Sequence, residues 1–148
     1  MPDSLDSRSS WDTLLRFATI AVGVSGLFFV VFGSVTQSLF KRLFYGTSNN
    51  PITGAEALHY TRFVYGVLGA VMFGWALGLW FVVTGPLRQR QRWAWNPVAF
   101  SVSGWFVVDS SLSLLSGYPE NAILNLTFAA MFAVPLHFIR REVPKRSG

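Results

Sequence analysis

Four apolar runs separated by short polar segments set the pattern of this chain. They cover residues 14–35, 63–84, 97–115 and 122–139. Each is close to the roughly 20 residues that an α-helix needs to cross a ~30 Å hydrocarbon core. Inside a bilayer the backbone finds no water to bond, so a run of this kind satisfies its own polar groups only as helix. The pattern therefore predicts an all-α integral membrane four-helix bundle, a single membrane domain over residues 1–148.

Punctuation between the runs refines this plan. Gly85-Pro86 ends the second run, and the basic segment "RQRQR" (Arg88–Arg92) follows in water. Asn96-Pro97 opens the third, with Asn96 as the expected N-cap and Pro97 at the first helical position. Gly117, Tyr118 and Pro119 form a tight turn, which makes the third and fourth helices antiparallel neighbours. Thr53 and Glu56 have capping-box spacing, so the second helix is expected to begin near Gly54, outside the membrane. Pro135 should kink the fourth by freeing the carbonyl of Met131. The external loop, residues 36–60, opens on "VTQSLFKRLFYG" and continues with "TSNNPITG" as turn and loop. Val35, Leu39, Phe40, Leu43 and Phe44 share one helical face of its first part, and Gln37, Lys41 and Arg42 lie elsewhere. That part is either an extension of the first helix or a short helix in the membrane interface.

Charge adds orientation. Arg88, Arg90 and Arg92 stand in the loop 86–95, and Arg140, Arg141, Lys145 and Arg146 in the tail 140–148. An even number of spans puts both on one side, and the positive-inside rule makes it cytoplasmic, giving an N-in/C-in protein of the bacterial inner membrane. Lys41 and Arg42 fall on the other side, a minority. The first run lacks a good small-x-small cleavage site and reads as an uncleaved helix. Trp11, Trp93 and Trp95 suit the cytoplasmic aromatic belt, with Tyr60 and Tyr118 on the outer one. Charged residues make up 13% of the chain, about half the share of a soluble domain. The net charge of +5 is explained by topology, so nucleic acid is not an expected partner and the lipid bilayer is. With no Cys, thiol redox chemistry and thiolate metal sites are excluded.

Candidate chemistry concentrates on one residue. Asp109 lies within the third run, about 10 Å from its outer end. A carboxylate at the centre of such a helix costs about 2.5–3.5 kcal/mol, so it should face the bundle interior and meet a partner. The topology brings Arg62, Tyr65, Ser113, Asn121 and Asn125 to the same outer third, with Ser110 and His59 nearby. Two readings follow. Asp109 and Arg62 are a structural ion pair, with serines satisfying the spare oxygens, or they floor an outward-facing site for a ligand or proton relay. Gly66, Ala70, Gly74 and Gly78 recur every fourth residue on the second helix and suit close packing, either against Gly23, Gly26 and Gly33 or against another chain. His59 and His137 lie at opposite ends of the spans, and no metal-ligand spacing or nucleophile elbow is present, so neither metal nor cofactor is expected.

The run "RFVYGVLGAVMFGWALGL", Arg62–Leu79, resembles the second helix of the small bacterial four-helix membrane proteins grouped as DoxX-like. There an Arg opens the helix and a Gly-rich stripe follows; Arg62, Gly66 and Gly69 match. The resemblance implies a four-span plan and, for some members, association with redox or quinone-linked complexes. The expected function is a small polytopic membrane protein, an accessory subunit or binding module rather than an enzyme. Its partners would be the bilayer and a homo-oligomer or larger membrane complex. The alternative is a small carrier or membrane enzyme using Asp109 for proton handling or ligand binding.

Overall fold

The computed structural model describes residues 3–46 and 53–142, with side chains over 10–46 and 53–141. Most of the expected turn "TSNNPITG" and the basic residues Lys145 and Arg146 lie outside that range. Every regular element among the described residues is helical: α1 (Asp3–Val31), α2 (Gly33–Tyr45), α3 (Ala55–Val82), α4 (Trp95–Leu115) and α5 (Pro119–Glu142). Four stretches are long and apolar enough to cross a membrane: Ser10–Val31, Ala55–Leu87, Arg92–Leu115 and Pro119–Arg141. Large apolar side chains such as Phe81, Phe100 and Leu115 are 72%, 73% and 88% exposed. Water would penalise that surface heavily, and a lipid bilayer does not. The chain is an integral membrane protein.

The helices overrun the apolar runs at several ends. Lipid fixes where apolar residues must lie, whereas helical hydrogen bonding continues into water until a breaker stops it. Thus α3 begins at Ala55, close to the expected start near Gly54, and α4 begins at Trp95. Its N-cap is Ala94 rather than Asn96, because a 3-10 turn over Arg92–Ala94 leads straight into the helix. Pro97 is then the third helical residue, still in the first turn, where a backbone N–H has no helical acceptor.

The described chain forms two compact units, residues 1–20 with 78–148, and residues 21–77. In the second of these, α1 and α3 meet at two glycines. A Cβ on Gly26 would stand 2.6 Å from the Gly69 carbonyl oxygen and 2.8 Å from the Phe73 nitrogen, so only glycine fits. Phe32 leaves helical geometry (φ −111°, ψ 43°) and separates α1 from α2. On an unbroken helix the Cα atoms of Phe29 and Phe40 would lie about 16 Å apart. Their ring centroids are 5.6 Å apart, edge to face, so the chain bends sharply at Phe32. The stretch after the first span is therefore a separate helix and not a straight extension. Its packed side is Thr36, fully buried, with Phe40 and Phe44 half-buried; Val35, Leu39 and Leu43 are exposed. Phe40 also stacks on Tyr65 of α3, with centroids 5.1 Å apart.

In the other unit, Leu15, Leu87, Val98, Phe132, Leu136 and Ile139 form the core. After α3 the backbone widens into a π-helical turn, Val83–Leu87, around Pro86. Proline has no N–H to donate and its ring crowds the preceding turn, which a wider helix relieves. Between α4 and α5, Gly117 takes φ 81° while its N–H donates to Leu114 and that of Tyr118 to Ser113. These are the two bonds of a glycine-terminated helix end, and Pro119 then starts α5. The expected antiparallel hairpin is the closest-packed pair of the unit.

Candidate functional site

The hairpin register assembles the polar residues at the turn end of α4 and α5. Ser113 follows Asp109 by one turn on α4, and Asn125 follows Asn121 by one turn on α5, so each pair shares a face. The Asn121 amide donates to the Ser113 hydroxyl (2.8 Å), which donates to the backbone carbonyl of Asp109 (2.6 Å). Deeper in, the buried Asn125 amide donates to the Ser110 hydroxyl (3.3 Å). The result is two hydrogen-bonded pairs, Asn121 with Ser113 and Asn125 with Ser110. The serines, however, do not serve the Asp109 carboxylate. In an α-helix the carbonyl four residues back lies within reach of a serine hydroxyl, and Ser113 takes it. The half-buried Asp109 carboxylate has no hydrogen-bond donor from its own unit among the described residues.

Arg62 and Tyr65 belong to the other unit. The Arg62 Nε donates to the Gln37 side-chain oxygen (3.3 Å), and Tyr65 is held in the aromatic stack with Phe40. Below Arg62, between α1 and α3, runs an open groove of about 590 Å³ lined by Val30, Gly33, His59, Arg62, Gly66 and Ala70 among others. Two atoms of α2, the Thr36 hydroxyl oxygen and the Gln37 amide nitrogen, are buried without a hydrogen-bond partner among the described residues. Neither residue stood out in the sequence, where Gln37 reads as a solvated position on an amphipathic helix.

The small-residue stripe on α3 is open. Cβ atoms at Gly66, Gly74 and Gly78 would meet nothing within 4 Å, and Ala70 is exposed. The intramolecular close approach uses Gly69 instead, one face further round, against Gly26.

A second polar assembly gathers at the other end of the larger unit. Arg90 grips Asp12 through both guanidinium nitrogens (2.8 and 3.2 Å), with the two side chains 20% and 21% exposed. Trp11 stacks on Phe138 at 4.2 Å, the Trp95 indole donates to the Leu136 carbonyl (3.0 Å), and the Arg140 guanidinium lies 4.5 Å over the Trp95 ring. These contacts tie the start of α1, the loop before α4 and the end of α5 to one end of the unit. In the sequence Asp12 and Arg90 were only two of several charges expected on one side, with nothing to pair them. Arg90 itself holds φ 58°, unusual for a residue with a side chain. His59 and His137 are both exposed, and among the described residues no group of three metal-ligating side chains comes together.

No protein-family model, curated protein or solved structure matches this chain. The chemistry of its own residues is what carries the functional reading.

Proposed function

We propose that this chain is a non-enzymatic, multi-pass protein of the bacterial inner membrane, an accessory subunit or binding module whose outward-facing polar site centres on Asp109. One observation carries the reading. The neighbouring amides and hydroxyls of α4 and α5 satisfy one another, and the intramembrane carboxylate is left with its acceptor capacity unspent. Holding such a group in an apolar helix is costly, and a bound donor offsets the cost. The shared end of Trp11, Arg90, Trp95 and Arg140 supports a common side for both termini and the basic loop. The positive-inside rule makes that side cytoplasmic and the Asp109 end external. Membership of the DoxX-like group is part of this proposal and rests on the sequence resemblance that Arg62, Gly66 and Gly69 carry. The same unspent carboxylate favours a second reading, a small carrier in which Asp109 takes up and releases a proton.

Affinity purification of the tagged chain from native membranes separates these. A partner present in stoichiometric amount with the wild type and absent with a folded Asp109→Asn variant is the expected result. Wild-type protein that purifies alone, yet moves protons across vesicle membranes only when Asp109 is intact, favours the carrier. Unchanged partner recovery in Asp109→Asn rules out Asp109 as the binding group.

A further inference from the structure

We propose that the groove between α1 and α3 holds one anionic phospholipid, with its phosphate at Arg62 and His59 and an acyl chain along Val30, Val67 and Ala70. The groove changes character along its length. Val30, Val67 and Ala70 are exposed, and between them Gly66 has open space where a side chain would stand. That makes a slot of small and aliphatic residues about 590 Å³ in volume, within the range of small-molecule sites. At its mouth the chemistry becomes cationic. His59 and Arg62 are three residues apart on α3 and so share a face. Gln37 holds the Arg62 Nε, while the terminal guanidinium nitrogens meet no acceptor among the described residues and the side chain is exposed. Lys41, exposed, stands one turn beyond Gln37 on α2 and adds positive charge beside it. One carboxylate is near: Glu56 lines the adjoining hollow with His59, Tyr60 and Phe63.

Two other occupants fit the groove less well. A helix from a second copy would lay apolar side chains over the exposed Arg62 and Lys41, which a membrane interface penalises. A free phosphate would engage only the mouth and leave the aliphatic slot unused. An anionic lipid supplies phosphate oxygens that accept from the planar guanidinium at headgroup depth and an acyl chain below it.

The test uses the full chain purified in mild detergent. Phosphatidylglycerol, phosphatidylcholine or inorganic phosphate is added, and bound lipids are counted by native mass spectrometry. The expected result is one retained phosphatidylglycerol, about fivefold tighter than phosphatidylcholine and weakened by a similar factor in Arg62→Gln. Inorganic phosphate should not displace it. Ala70→Trp, which fills the slot and leaves every charge in place, should also lower retention. This second variant keeps the test decisive if Arg62→Gln fails to fold, and it leaves Asp109 and Arg62 untouched. Equal retention of the two lipids overturns the proposal. So does displacement by inorganic phosphate, or a dimer that Ala70→Trp dissolves.

Discussion

Substituting alanine for Gly26 should destabilise the chain by about 1–3 kcal/mol, the usual cost of forcing extra atoms into a packed contact. The added Cβ would fall 2.6 Å from the Gly69 carbonyl oxygen, 2.8 Å from the Phe73 nitrogen and 3.1 Å from the Met72 Cβ. Two of those three are backbone atoms of α3, which cannot swing aside as a side-chain tip can. Gly69 is in the same position from the other side, where a Cβ would overlap the Gly26 carbonyl and stand 2.7 Å from the Phe29 Cβ. The two substitutions share one contact, so their effects should not add. Gly74→Ala is the control. Nothing lies within 4 Å of its Cβ, and alanine in a helix gains roughly 0.5–1 kcal/mol over glycine. Thermal unfolding in detergent should place Gly26→Ala well below wild type and Gly74→Ala at or above it. The reverse order would mean that the open stripe, and not Gly69, is the packed face.

Asp12→Ala should give the second large loss, about 1–3 kcal/mol, as expected when a charged group loses its hydrogen-bonded partner in a largely buried site. Arg90 bonds Asp12 through two nitrogens and does so from a left-handed backbone conformation that a non-glycine residue resists. The pair therefore holds the loop before α4 in a shape it would otherwise leave. A double-mutant cycle with Arg90→Ala measures the coupling directly. A coupling near zero would show that Trp11 on Phe138 and Trp95 on α5 hold this end without the ion pair.

Much of the fold was legible in the pattern of apolar runs, because the requirement for self-satisfied backbone in lipid leaves few alternatives. The α4–α5 hairpin could be read from Gly117 and Pro119. Side-chain choices decided by ångström-scale geometry were not legible. Small residues occupy two faces of α3, and only the backbone distance to α1 makes Gly69 the contact and leaves Gly66 and Gly74 open. Along α2 the expected apolar face was Val35, Leu39, Phe40, Leu43 and Phe44, yet the bend at Phe32 turns Thr36 inward with Phe40 and Phe44 and leaves Val35, Leu39 and Leu43 exposed. Ser113 could bond a carboxylate or a carbonyl with equal ease by sequence, and the helix settles it in favour of the carbonyl. The Gln37 bond to Arg62 depends on the same bend.

The central claim is that the Asp109 carboxylate is held for a partner and does not hold the fold. The stability of Asp109→Leu in detergent, measured beside Asn125→Ala, tests this most directly. Asn125→Ala removes the donor from the buried Ser110 hydroxyl and should cost about 1 kcal/mol. Asp109→Leu should equal or exceed wild type in stability, since it exchanges an intramembrane carboxylate with no hydrogen-bond donor among the described residues of its unit for an apolar side chain. A loss of about 1 kcal/mol or more in Asp109→Leu, abolished when Arg62→Ala is already present, would contradict the account and make Asp109 one half of a structural ion pair.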